Sequence, residues 1–174
     1  ITAYSDDFSG KTLITGLNIN GGKITSEETI DAIDATTFTL SNGIKVHYKF
    51  ADKTKNQVRF RAVSDGGTSL LSDDMLPSAT LMGQLVTAYY GLGEYSSTEL
   101  PKVIAGKTAS AGISVSGLEE SINGSSVSSD VETMLQMVYL RFVNPRFDQD
   151  GHDTFMSLAA NYFTSLSKNI NSKI

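Results

Sequence analysis

The side chains able to do chemistry are few and far apart. Histidine occurs twice, at His47 and His152, and cysteine not at all. Without cysteine there is no disulfide, no thiolate metal ligand and no thiol nucleophile. His152 stands among Asp148, Asp150 and Asp153, a grouping that resembles a metal cluster in sequence. The same acids open the last helical stretch, where carboxylates favour the positive end of the helix dipole, and that is the reading adopted for them. His47 lies between Val46 and Tyr48 in an alternating segment, which places it on the exposed face of a strand. Arg59 and Arg61 share one strand face, as a solvated pair or as a contact for a substrate carboxylate. Asp73-Asp74 reads as a solvated turn. Gly91-Leu92-Gly93 lacks the third glycine and the preceding strand of a dinucleotide loop. No Gly-x-Ser-x-Gly elbow exists for a serine nucleophile, and Asn123-Gly124-Ser125 fits a glycosylation acceptor only as a pattern expected by chance.

The elements that would position these residues begin with the stretch from Phe38 to Leu70. Ile44, Val46, Tyr48 and Phe50 alternate with polar residues, as do Phe38 and Leu40, and Val58, Phe60 and Ala62. Period-two patterning marks half-buried strands. A two-residue loop at Asn42-Gly43 would put the apolar residues on opposite faces. A three-residue loop, Ser41-Asn42-Gly43, pairs Leu40 with Ile44 and Phe38 with Val46, so the hairpin is expected to carry Gly43 left-handed in a bulge. The third strand is expected to extend the same sheet until Gly66-Gly67 breaks it.

Pro77 suits the first turn of a helix whose apolar residues recur at Ala79, Met82, Leu85, Val86 and Tyr89. Gly91 and Gly93 end it. Ser96 with Glu99 reads as a capping box for a short helix that stops at Gly106, and Ser129 with Glu132 as another. Between them, Ala109 to Val115 alternates as a strand of small side chains, Gly117 to Glu120 turns, and Ser121 to Val127 returns. Val131, Met134, Leu135, Val138 and Phe142 mark a helix that Asn144-Pro145 ends. Asp148 caps a last helix with Phe155, Ala159, Tyr162 and Leu166 on one face. Helices grouped against a mainly antiparallel sheet predict an α+β fold with the helices packed on one face. Residues 1–36 lack a sustained period; Ser26 to Ile33 is expected as a short helix within a connector segment, and 37–174 as the folded domain.

The chain has 174 residues and a net charge of −5, with acids and bases scattered. A nucleic-acid binder would show a clustered basic face, and no apolar run is long enough for a membrane span. The high Ser, Thr, Asn and Gly content is compatible with an exported bacterial protein.

Five stretches together carry a resemblance: LSNGIKVHYK, VRFRAVSDGGTSLLSDD, the helix opening at Pro77-Ser78-Ala79, ELPKVIAGK, and VETMLQMVYLRFVNPRFDQDGHDTF. In that order, over residues 37–170, they resemble the insulinase/pitrilysin zinc peptidases, which build chambers from repeated domains of one fold, like that of the mitochondrial processing peptidase. The resemblance implies a zinc site of His-x-x-Glu-His on the first helix after the opening strands, completed by a Glu from a later helix. Here Ala79 and Gly83 align with the histidines and Met82 with the Glu, and the last Glu in the chain is Glu132. A zinc site needs imidazoles four apart on one helical face and a carboxylate base. The expectation is therefore a repeat with no catalytic, cofactor-binding or metal residues of its own, resembling the domain that opens the second half of a four-domain member. Zinc would be in the catalytic domain of the parent protein, with residues 1–36 resembling the connector between halves. Its partners would be sister domains of the same polypeptide and a peptide substrate. The alternative is a stand-alone module that adds a peptide strand to an open sheet edge.

Overall fold

The computed structural model describes residues 8, 10–15 and 20–168. The chain divides into two compact units, one of Ile14–Asn56 and one of Gln57–Ile174 with Ile1–Leu13. The fold is α+β, with two antiparallel sheets and with helices packed against the sheet of the larger unit.

The smaller unit holds one three-stranded sheet, β1 (Ile24–Ile30), β2 (Ala35–Leu40) and β3 (Lys45–Tyr48), in that order. The hairpin is the one expected. Phe38 pairs with Val46, the Leu40 amide donates to the Ile44 carbonyl at 2.8 Å and the Gly43 amide to the Leu40 carbonyl at 2.8 Å. Gly43 sits at φ 85°, where a side chain would be strained. The Asn42 side chain accepts from the Ile44 amide at 3.2 Å, a local bond that holds the turn.

Upstream of the hairpin, the expected helix at Ser26 to Ile33 is replaced by β1, and only Asp31–Ile33 turns, as a single 3-10 turn. Six of the seven residues of β1 are exposed, so it has no apolar stripe to announce it. It is a strand because β2 offers an antiparallel ladder from Ile30↔Ala35 to Ile24↔Leu40. The point between residues 36 and 37, expected as the end of a connector, lies inside β2.

The larger unit is built on a second sheet, β4 (Val58–Asp65), β6 (Glu119–Ser126) and β5 (Ala109–Val115), with β6 central. This corrects the expectation that Val58 to Ala62 extends the hairpin sheet: β4 pairs with β6 throughout, Val58↔Ser126 to Asp65↔Glu119. The ladder partner of β4 lies some sixty residues downstream, a pairing that alternation alone cannot choose. Gly66 and Gly67 end β4 as expected, both with positive φ.

Helix α1 (Leu76–Gln84) carries Pro77 in its first turn and runs on into a π-turn, Leu85–Tyr89. Helix α2 (Leu100–Val103) is opened by Ser96, whose amide and hydroxyl both donate to the Glu99 carboxylate at 2.9 and 2.8 Å. Helix α3 (Val131–Val143) packs against β5 and β6, with Met134 over Gly124, and buries Met134, Met137, Val138 and Leu140. Of the face expected for it, Leu135 and Phe142 are instead exposed. The capping box at Ser129 and Glu132 does not form: a 3-10 turn, Ser128–Asp130, leads into α3, and Glu132 accepts from Gln136 at 3.1 Å. Helix α4 (Gln149–Lys168) buries Phe155, which meets Tyr89 edge-on with centroids 5.4 Å apart, whereas Tyr162 of the expected face is exposed.

Candidate functional site

The helix that would carry a zinc motif borders an open pocket of the larger unit. Ala79, Thr80, Gly83 and Thr87 recur at helical spacing along α1 and its π-turn. Together with Gly112 to Val115 of β5, Asn123 of β6, and Tyr89 and Phe155, they line an open pocket of about 710 Å³. Small residues make the approach of helix to strand close. A Cβ on Gly112 would stand 3.1 Å from the Thr87 side chain, and one on Gly83 3.2 Å from the Ile113 carbonyl. A glycine inside a strand signals such an approach, and Gly112 within the small-residue strand was the sequence trace of this pocket.

The pocket's chemistry is that of methyls, hydroxyls, an amide and two aromatic rings. Two of the positions aligned with the zinc motif, Ala79 and Gly83, line it, and Met82 is 47% exposed. A methyl and a hydrogen offer zinc no lone pair and a thioether is a poor ligand for it, so these residues do not fit the metal. Among the described residues, no three His, Cys, Asp or Glu side chains stand close enough together to hold a metal ion.

Neither histidine is among the residues that line this pocket. His47 is exposed on β3, its ring nitrogen 3.0 Å from the Thr37 hydroxyl across the ladder. His152 is half-buried, 3.4 Å from the Asp153 carboxylate and tilted against Phe147. The acids around it do not converge. Asp153 accepts from Gln149 at 2.8 Å, and Asp148 turns to the Gly91 and Ser97 amides. Arg61 pairs with Glu119, whereas Arg59 reaches only the Gln57 side-chain oxygen at 3.4 Å. Asp73 and Asp74 lie exposed in the turn before α1.

Two polar residues, the buried Asp130 and the half-buried Arg141, were not singled out as structural centres by sequence reasoning. Asp130 is 6% exposed and accepts from the Thr108 amide at 2.7 Å, with the Lys107 ammonium 3.4 Å away. The Thr108 amide, followed by that cation, holds its carboxyl below the usual aspartate range. Arg141 donates to the Val86 carbonyl at 2.9 Å, capping the π-turn from α3, and burial lowers its guanidinium pKa.

No family model matches the chain. Over 127 residues it is 31% identical to the probable zinc protease PqqL of Haemophilus influenzae, covering 72% of this chain and 13% of that protein. Over 129 residues it is 30% identical to a zinc protease PQQL-like protein of Arabidopsis thaliana, covering 74% and 11% respectively. The chain thus spans little more than a tenth of the length of these relatives. Its fold is that of a part of two solved proteases. The periplasmic protease PqqL of Escherichia coli superposes with a TM-score of 0.77 at 21% identity, over 99% of this chain and 19% of that one. A variant of the ferredoxin protease FusC, solved with Arabidopsis ferredoxin, superposes at 0.73 with 23% identity, over 89% and 17%. No helix among the described residues is long and apolar enough to cross a membrane.

Proposed function

The chain is homologous to one part of the insulinase/pitrilysin-like zinc proteases, and on that premise we propose that it is a non-catalytic, substrate-enclosing domain of a longer zinc metalloendopeptidase. One observation carries the reading. The α1 positions that align with the family's zinc ligands, Ala79 and Gly83, line the pocket without a donor atom between them. The zinc belongs in a sister domain of the same polypeptide, and this chain's part is to hold the chamber wall and present its surface to a peptide substrate. An exported setting accords with the high Ser, Thr, Asn and Gly content and with the periplasmic location named for one structural neighbour.

The test is elemental analysis of the dialysed chain together with a peptide-cleavage assay in added zinc. We expect neither stoichiometric zinc nor cleavage. One tightly held zinc per chain, lost together with activity on chelation, overturns the proposal. Ala79→His with Met82→Glu and Gly83→His should restore little activity, because a later Glu ligand is missing as well.

The reading as a stand-alone module draws on the edge of β4, which among the described residues pairs only with β6; the other outer strand, β5, has α1 packed against it at Ile113. It has less support, because each curated relative extends far beyond the matched stretch.

A further inference from the structure

The second sheet has two unlike faces. On one, Ala111 and Ile122 are buried and Gly124 lies under Met134 of α3. The other is polar and exposed toward β4, while Ser121 on it is buried and the Thr87 side chain stands over Gly112 at its β5 end. Its rows run straight across the three strands: Arg59 pairs with Ser125, which pairs with Ser110, and Arg61 pairs with Asn123, which pairs with Gly112. Arg59, Arg61, Asn123 and Ser110 are exposed.

This face is continuous with the pocket. Gly112 and Asn123 belong to both, so the pocket opens onto the rows that lead to β4. Its other walls are Thr80, Thr87 and Phe155, and no charged side chain lines it. At the far end of the rows the two cations differ. Arg61 is neutralised by Glu119, but among the described residues Arg59 has no carboxylate partner. In a chain of net charge −5, an exposed guanidinium left unpaired on an otherwise uncharged row selects for a carboxylate.

We propose that this face docks an extended polypeptide that seats an apolar side chain in the pocket and a carboxylate on Arg59. The inference rests on the reading of the chain as a substrate-enclosing domain and specifies the segment it holds. Neighbouring strands lie about 4.8 Å apart, so β5 and β4 are roughly 10 Å apart, and an extended chain advances roughly 3.3 Å per residue with alternate side chains on one side. The acid therefore stands two or four residues from the apolar side chain, within the reach of a long arginine. Between the pocket and Arg59 stand only the uncharged side chains of Ser110, Asn123 and Ser125.

Fluorescence anisotropy on the whole chain tests this, with labelled, end-blocked peptides Phe-Ser-Glu and Phe-Ser-Ser-Ser-Glu and counterparts carrying Gln for Glu or Ala for Phe. At least one of the acidic Phe peptides should bind more tightly than both of its counterparts. Arg59→Gln should weaken that binding about three- to fivefold, the range of a single exposed charge pair, and erase the difference between Glu and Gln. Arg59→Lys should keep part of it. Thr80→Trp, placed on an exposed wall of the pocket, should erase the difference between Phe and Ala. Circular dichroism of each variant should match the parent, and Arg59→Lys provides a second reading should Arg59→Gln unfold. Absence of binding, or binding indifferent to the acid, overturns the inference and leaves the enclosing role standing. Cleavage of these peptides by the chain itself would overturn the enclosing role instead.

Discussion

Asp148 Oδ2 accepts the Gly91 amide at 2.9 Å, fifty-seven residues away in sequence. The same oxygen accepts the Ser97 amide at 3.0 Å and lies 3.4 Å from Arg146 Nε. One carboxylate thus closes the loop between the π-turn and α2 and ties it to the start of α4. Sequence reasoning assigned Asp148 to the cap of its own helix. In the fold its carbonyl accepts the His152 amide at 2.9 Å while its carboxylate serves the loop. Gly91 has to be glycine, because a Cβ there would fall 1.9 Å from the Tyr95 carbonyl oxygen.

Asp148→Ala should therefore destabilise the larger unit by about 1–3 kcal/mol, the cost of leaving part-buried amides without an acceptor. Asp148→Asn should cost less, since its carbonyl still accepts but without the charge. Urea unfolding measures both. Equal stability of the two variants and the parent would mean that water replaces the carboxylate fully.

Gly43→Val should destabilise the smaller unit by about 1–2 kcal/mol, because a β-branched residue resists φ 85°. Gly43→Asn should cost clearly less, as asparagine enters the left-handed region more readily. Amide exchange of the Leu40 and Gly43 hydrogen bonds reports the loss locally. An unchanged exchange pattern in the valine variant would refute the bulged turn.

Asp130 makes stability depend on acid. Its folded pKa is depressed, chiefly by the Thr108 amide and then by Lys107. Its contribution is therefore complete above the unfolded-state pKa and is lost as pH falls through the folded value. Asp130→Asn should lower the melting temperature at neutral pH, and the gap from the parent should narrow below about pH 4, the ordinary aspartate range. A gap that stays constant down to pH 2 would show that the charge contributes nothing.

Limited proteolysis distinguishes a connector ending at residue 36 from the β1–β2 ladder. The ladder predicts protection of residues 24–40 and first cleavage in the exposed stretch 50–57 between β3 and β4. Early cuts before Thr37 would instead show that the ladder opens readily and that the connector behaves independently.

Local chemistry written in the sequence determined the local features. The Asn42-Gly43 turn set the hairpin register, because only one loop length aligns the apolar faces. Pro77 set the start of α1, Asn144-Pro145 the end of α3, and Ser96 with Glu99 the entry to α2. The order of motifs was enough to identify the family, and the residue types at 79, 82 and 83 were enough to argue against a zinc site there. Tertiary structure decided what depends on partners distant in the chain. β1 exists because β2 lies beside it, although its own sequence reads as a short helix. β4 joined β6 rather than the nearer hairpin, because a strand's edge carries the same backbone groups whatever strand it meets. Asp148 and Asp130 became acceptors for distant amides, since a buried N–H must find a partner wherever the fold leaves it. The pocket against α1 and the polar face leading to Arg59 appeared only when small residues from four separate elements were brought within reach of one another.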